Sequence, residues 1–366
     1  MTNSNRIASL SEYSLLGTTG LRVSPLCLGT MTFGTDWGWG AAKEASHALL
    51  DRYLDAGGNF VDTADLYTNG SSETIVGEYL AETGRRDSVV LATKFSFSTR
   101  PGDPNAGGNS RKNMLRAVEG SLKRLRTDYI DLYWLHAWDG LTPVEEVMST
   151  LDTLVRSGKV RYLGLSDVPA WYLTRAQTIA QLRGLERIAA LQLEYSLVER
   201  NIEREHIPAA AELGMAILPW SPLASGFLSG KYTRASTGNA AGAGRLESLQ
   251  AQGHPGIKNL FTEKNWQIVD VLIGAAKELG TTPASLALAW VAKRPGVVST
   301  LIGATKLDQL DANMHALDLV VPDAIAQKLE AVSRPPVVFP YSILQPEMQG
   351  MLNGGTTVRA KPSWHR

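Results

Sequence analysis

The chain has 366 residues, 44% apolar and 20% charged, and its 36 Lys+Arg balance its 36 Asp+Glu. This is ordinary globular composition, and zero net charge argues against a broad basic face for nucleic acid. Cys27, the only cysteine, excludes an intrachain disulfide and a Cys-rich zinc site, and no stretch approaches the roughly 18–20 apolar residues that span a bilayer. The opening MTNSNRIASLSEYS lacks a signal-peptide core, so the expectation is a cytoplasmic protein without metal, membrane or nucleic-acid partner.

In chain order, residues 8–24 alternate around Gly17-Thr18-Thr19-Gly20 and read as a β-hairpin able to plug a barrel floor. Short apolar runs follow at 25–29, 59–62, 89–94, 130–136, 160–165, 189–193, 215–220 and 298–303. They are too short and too continuously apolar for half-exposed antiparallel strands and suit parallel strands buried on both faces. Between them lie stretches of helical period, clearest at 41–56, 110–126 and 144–157, with others near 72–83, 170–183, 202–213, 264–279, 305–314 and 323–332. Eight βα pairs in sequence predict a (β/α)8 TIM barrel over about 25–334 in a single domain. The competing doubly wound sheet usually carries G-x-G-x-x-G after its first strand, and no such pattern occurs here. Residues 233–258 are Gly/Ala-rich and read as a surface loop or a lid, while the Pro-rich tail 335–366 reads as loop.

A barrel of this kind gathers its chemistry at the C-terminal ends of its strands, so the residues closing the apolar runs are the ones to read. The second run ends in Asp62, with Tyr67 five residues on; the third ends in Lys94 and the fourth in His136. Each alone has a structural explanation as a cap, a solvated lysine or a core histidine. Together, on three successive strands, they form a complementary set. A free phenol is a poor acid at neutral pH, a nearby ammonium lowers its pKa, and a carboxylate fixes the ammonium. A neutral imidazole can donate to a substrate oxygen. Such a set suits protonation of an oxyanion forming on a carbonyl. No Ser or Cys stands beside His136, and Gly-x-Ser-x-Gly and His-Glu-x-x-His are absent, which argues against hydrolysis. His47, His206, His254, His315 and His365 are scattered, which argues against a histidine metal site.

The stretches NFVDTADLYTNGSSETIVGEYL, LATK and DLYWLHAWD resemble the aldo-keto reductase superfamily, and so do YSLLGTTGLRVSPLCLGTMTFG, GLSD, LQLEYSLVER, LPWSPLASGFLSGKY and IGATKLDQLDAN. The match runs in order from about residue 12 to 332. WSPLASGFLSGKY is closer to the bacterial enzymes and potassium-channel β subunits than to the shorter aldose-reductase type. The resemblance implies a (β/α)8 barrel and reversible, NAD(P)H-dependent reduction of an aldehyde or ketone. It implies Tyr67 as general acid, Lys94 as the group that lowers its pKa, Asp62 as the holder of Lys94, and His136 as the group that orients the carbonyl.

The same resemblance implies that Ser166, Asp167 and Gln192 hold the nicotinamide carboxamide, that Trp220 stacks on the ring, and that Gly29, Thr30 and Met31 line the cofactor. Ser221, Pro222, Leu223, Gly226, Leu228, Gly230 and Lys231 match a pyrophosphate strap, and Gly303, Thr305, Lys306, Gln309 and Asn313 an adenosine segment. In two places the sequence departs from the family pattern. Asp167 stands where Asn is usual, and an ionised Asp cannot donate. Thr305-Lys306 replaces a basic residue followed by Ser or Thr; pairing of Lys306 with a 2′-phosphate favours NADPH over NADH. Phe33, Trp37, Trp39 and Trp138 are candidates for an aromatic substrate wall, and the segment FPYSILQPEMQGM for a cover over the same mouth. A cofactor-binding regulatory subunit and an alcohol or sugar dehydrogenase remain alternatives, and the sequence leaves oligomeric state open.

Overall fold

The computed structural model describes residues 9–234, Leu246 and 259–357. Eight strands form one parallel sheet: β3 (Leu26–Gly29), β4 (Phe60–Asp62), β5 (Val90–Phe95), β6 (Ile130–Leu135), β7 (Val160–Ser166), β8 (Ile188–Glu194), β9 (Ala216–Trp220) and β10 (Thr300–Ile302). The order β10-β3-β4-β5-β6-β7-β8-β9 joins first to last, because β10 pairs with β3. The remaining gap is bridged where Ile217 N–H donates to Gly296 O at 2.9 Å and Val298 N–H donates to Ile217 O at 3.0 Å. The expected barrel is therefore present. Its strands are buried on both faces, as their unbroken apolar runs require; every residue of β5 is buried.

The hairpin pairs β1 (Ser14–Leu15) with β2 (Arg22–Val23). Its Leu16 and Val23 join Cys27, Phe60, Ala92, Leu132, Trp134 and Leu218 in the barrel interior. Gly17 permits this docking, since its φ is +59° and a Cβ would meet Ala189 O at 2.5 Å and Gly214 O at 2.6 Å. Gly164 does the same for Trp134, whose indole lies 2.2 Å from where a Cβ would stand.

The outer layer contains α1 (Lys43–Asp55), α2 (Ser71–Thr83), α3 (Arg111–Leu125), α4 (Val144–Arg156), α5 (Ala170–Arg183), α6 (His206–Leu213), α7 (Glu263–Glu278), α8 (Pro283–Ala292), α9 (Leu307–His315) and α10 (Asp323–Ser333). Side-chain caps start three of them: Ser110 accepts from Asn113 N–H, Thr262 from Asn265 N–H and Thr282 from Ser285 N–H. Two helices go beyond the sequence expectation. α8 reads PASLALAWVA and is buried at every position from Leu286 to Ala292, so it shows no amphipathic stripe. The tail read as loop contains α11 (Pro346–Leu352), with Pro at the helix start where its missing N–H costs nothing. The suggested lid at 233–258 falls mostly on residues outside those described.

Candidate active site

Parallel register brings the strand ends to one rim. Gly29 pairs with Asp62, Asp62 with Ala92, Lys94 with Trp134, Ser166 with Gln192, and Glu194 with Trp220. Lys94 and Asp62 are fully buried and form an ion pair. The ammonium also donates to Thr63 O at 2.9 Å and to the Tyr67 hydroxyl at 3.1 Å. The other Asp62 oxygen accepts from Gln192 Nε2 at 3.1 Å, across the barrel. The loop carrying Tyr67 is fixed by Thr63 N–H to Ala92 O at 2.9 Å and Asp65 N–H to Lys94 O at 3.1 Å. Burial opposes a charged Lys94, and Asp62 and Tyr67 outweigh it, so its pKa is raised and the ammonium persists. A buried charge of this kind is tolerable because each of its donors has a partner.

The His136 ring stands edge-on to Tyr67, with centroids 5.8 Å apart, and edge-on to Phe97 at 4.8 Å. Burial, then the Lys94 charge, push its pKa well below the ordinary histidine value, so the ring is neutral at pH 7. Its Nδ1 is buried and has no hydrogen-bond partner among the described residues. The four groups singled out by strand-end reading therefore converge, and their charge states suit hydrogen bonding to a substrate oxygen.

The opposite side of the mouth is built differently. Ser166 Oγ is buried with no partner among the described residues. Asp167 takes a left-handed φ of 46° and accepts at Oδ1 from Trp220 Nε1 at 3.0 Å. Ser221, Ala224, Ser225 and Gly226 also have positive φ, at 53°, 48°, 55° and 94°. Such backbone is strained for residues other than glycine and is characteristic of segments that fold around a ligand. Gly230 closes the stretch at φ 79°, and the exposed Lys231 lies over the Tyr232 ring at 4.8 Å. Pro222 and Leu228 are buried and Leu223 packs between two parts of the core. In the last segment, Lys306 is exposed at the start of α9, Thr305 donates to Gln309 Oε1, and Asn313 donates to Gly303 O at 3.3 Å. An orphaned buried hydroxyl, a run of left-handed backbone and two exposed lysines fit a nicotinamide dinucleotide.

Other candidate residues occupy varied surroundings. The Thr30 hydroxyl donates to Asp62 O at 3.1 Å and meets Ser72 Oγ at 2.8 Å, so it ties the first strand to the second. Met31 is half-buried beside it. Phe33 is fully buried and packs with Leu28, Ala41 and Leu49 in the core, beneath the first loop. Trp37 and Trp39 pack on each other at 5.7 Å, while Trp138 packs on Trp171 at 5.2 Å and on Tyr172 at 5.5 Å. Sequence reading missed Phe97 and Trp171. β5 runs one residue past Lys94, and following it would have led to Phe97 two residues further on.

A family model described as the Aldo/keto reductase family matches residues 25–334. A norsolorinic acid reductase of Emericella nidulans is 36% identical over 93% of this chain and 86% of its own. The uncharacterised oxidoreductase YrpG of Bacillus subtilis is 38% identical over 88% of this chain and 95% of its own. An aryl-alcohol dehydrogenase [NADP(+)] of Phanerodontia chrysosporium is 37% identical over 82% and 80%, respectively. With this fold, this rim and these relatives, the chain belongs to the aldo/keto reductase family and is an oxidoreductase of carbonyl compounds.

Proposed function

We propose that the protein interconverts aromatic aldehydes or ketones and their alcohols, with NADP(H) as its cofactor and Tyr67 as the proton donor. The observation that carries this reading is the Tyr67 hydroxyl held 3.1 Å from an ammonium that Asp62 pins in a buried ion pair. When bound, the nicotinamide supplies or accepts the hydride. Ser166, Asp167, Gln192 and Trp220 would hold it, the strap 221–231 would carry the pyrophosphate, and Lys306 would meet a 2′-phosphate.

The chain's own contribution is proton delivery and polarisation. As negative charge builds on the carbonyl oxygen, Tyr67 donates its proton there and becomes a phenolate stabilised by Lys94. Lys94 stays protonated because Asp62 and Thr63 O hold it, so it acts as a fixed positive field. Neutral His136 donates a second hydrogen bond to the same oxygen and sets its orientation. The reverse reaction uses the same groups, with Tyr67 taking the alcohol proton. The substrate class is supported by the aryl-alcohol and norsolorinic acid named for the relatives, and by Phe97, Trp138 and Trp171 around the mouth.

The test is consumption of reduced cofactor with aryl aldehydes, polycyclic ketones and sugars. The expected result is turnover of the aromatic compounds, with kcat/KM about tenfold or more higher for NADPH than for NADH, the value of one charge-assisted phosphate contact. Absence of turnover across the panel would overturn the proposal.

A further inference from the structure

Asp167 places a carboxylate on the side of the mouth where the backbone is strained and the Ser166 hydroxyl lacks a partner among the described residues. It follows the last residue of β7, its N–H donates to Gln192 O at 3.3 Å, and its Oδ1 accepts from the Trp220 indole at 3.0 Å. The charged groups facing it are the Lys94 ammonium from β5 and Glu194 from the end of β8, which itself faces Glu199. Burial raises the Asp167 carboxyl to about 6, against the Trp220 hydrogen bond and Lys94. Burial, Glu199 and Asp167 raise Glu194 to about 7. At neutral pH the side of the mouth opposite Lys94 therefore carries a negative charge.

The two redox forms of a nicotinamide differ in charge, the oxidised ring being cationic and the reduced ring neutral. Asp167 is exposed at the rim, and a carboxylate placed beside the ring there discriminates between the two forms by their charge. An indole whose N–H donates to a carboxylate also presents a more electron-rich face to a cation. We propose that the Asp167 carboxylate sets the site's preference between the two redox forms of its cofactor, favouring the oxidised one. The inference rests on the nicotinamide placement proposed above.

Direct titration of the purified protein with NADP+ and with NADPH, followed by tryptophan fluorescence between pH 5.5 and 8, reads this preference. The useful quantity is the ratio of the two dissociation constants, because the 2′-phosphate, which titrates near pH 6, is common to both ligands and cancels. Asp167→Asn is the matching variant: Asn tolerates the left-handed backbone, keeps an acceptor for Trp220 and removes only the charge. The wild type should bind NADP+ progressively better relative to NADPH as pH rises through about 6, by about tenfold in all. Asp167→Asn should lose both the preference and its pH dependence. Glu194→Gln should leave the midpoint near 6, because Glu194, raised to about 7, is still mostly protonated where Asp167 titrates. If Asp167→Asn retains the wild-type ratio and pH profile, or weakens both cofactors equally, the proposal fails while the nicotinamide site stands. If the wild type binds neither cofactor, the site and the proposal fall together.

Discussion

The two halves of the barrel rim differ in how completely they are bonded. On the β4–β6 side, Lys94 meets Asp62, Thr63 O and Tyr67, and the second Asp62 oxygen is taken by Gln192. On the β7–β9 side, Ser166 Oγ has no partner among the described residues, and Asp167, Ser221, Ala224 and Ser225 hold left-handed backbone. The first half is preorganised chemistry, since its charges are fixed before any substrate arrives. The second half stores strain and unmet hydrogen bonds, as a surface shaped for a ligand does. Buried polar groups thus serve opposite ends on the two sides: where they are satisfied they fix protonation, and where they are not they invite binding.

The comparison is broken most severely at Lys94. Lys94→Met leaves Asp62 buried and unpaired; we expect a loss of about 3–5 kcal/mol in urea denaturation and turnover reduced by about a hundredfold or more. Adding Asp62→Asn should recover part of the stability and none of the turnover.

Asp65, like His136 Nδ1, is an exception within the bonded half and sharpens the rule. Its Oδ1 is buried without a partner among the described residues, and burial, then Glu73, raise the carboxyl to about 7. This lies above the roughly 4 of an unfolded Asp. Between about pH 4 and 7 the folded state keeps a proton that the unfolded chain has released, so this group's effect is to lower stability as pH rises through that window, levelling off above about 7. Asp65→Asn should flatten that decline, with a gain on the order of 1–3 kcal/mol at pH 8 relative to wild type, read from denaturation midpoints at pH 5 and 8.

On the strained side the effects are smaller. Trp220→Ala should weaken cofactor binding about tenfold in a fluorescence titration, through loss of a stacking surface. Ser225→Gly, at φ 55°, should raise the stability of the free protein by up to about 1 kcal/mol. A loss of stability there would contradict the claim of stored strain.

The bonded half was largely legible in the sequence. Each strand is a short apolar run, the polar residues ending three of them are chemically complementary, and parallel register brings them together. What escaped notice has physical causes. α8 is apolar all round because it is buried on almost every side, so periodicity could not reveal it. The left-handed conformations of Ser221, Ala224 and Ser225 have no local signature, since none of the three is glycine. The Asp65–Glu73 proximity arises from packing of α2 against the loop after β4, and Glu73 is held by Thr93 and by Arg124 on α3, contacts that spacing does not encode. Phe33 shows that an aromatic residue in a mouth loop can point into the core.

The central claim is that the bonded half delivers the proton and the strained half holds the cofactor. Tyr67→Phe, assayed in parallel for NADPH affinity and for turnover of an aryl aldehyde, separates the two most directly. The account predicts an NADPH dissociation constant within about twofold of wild type and turnover lower by about a hundred- to ten-thousandfold. Turnover close to wild type, or a loss of NADPH affinity matching the loss of turnover, would contradict it.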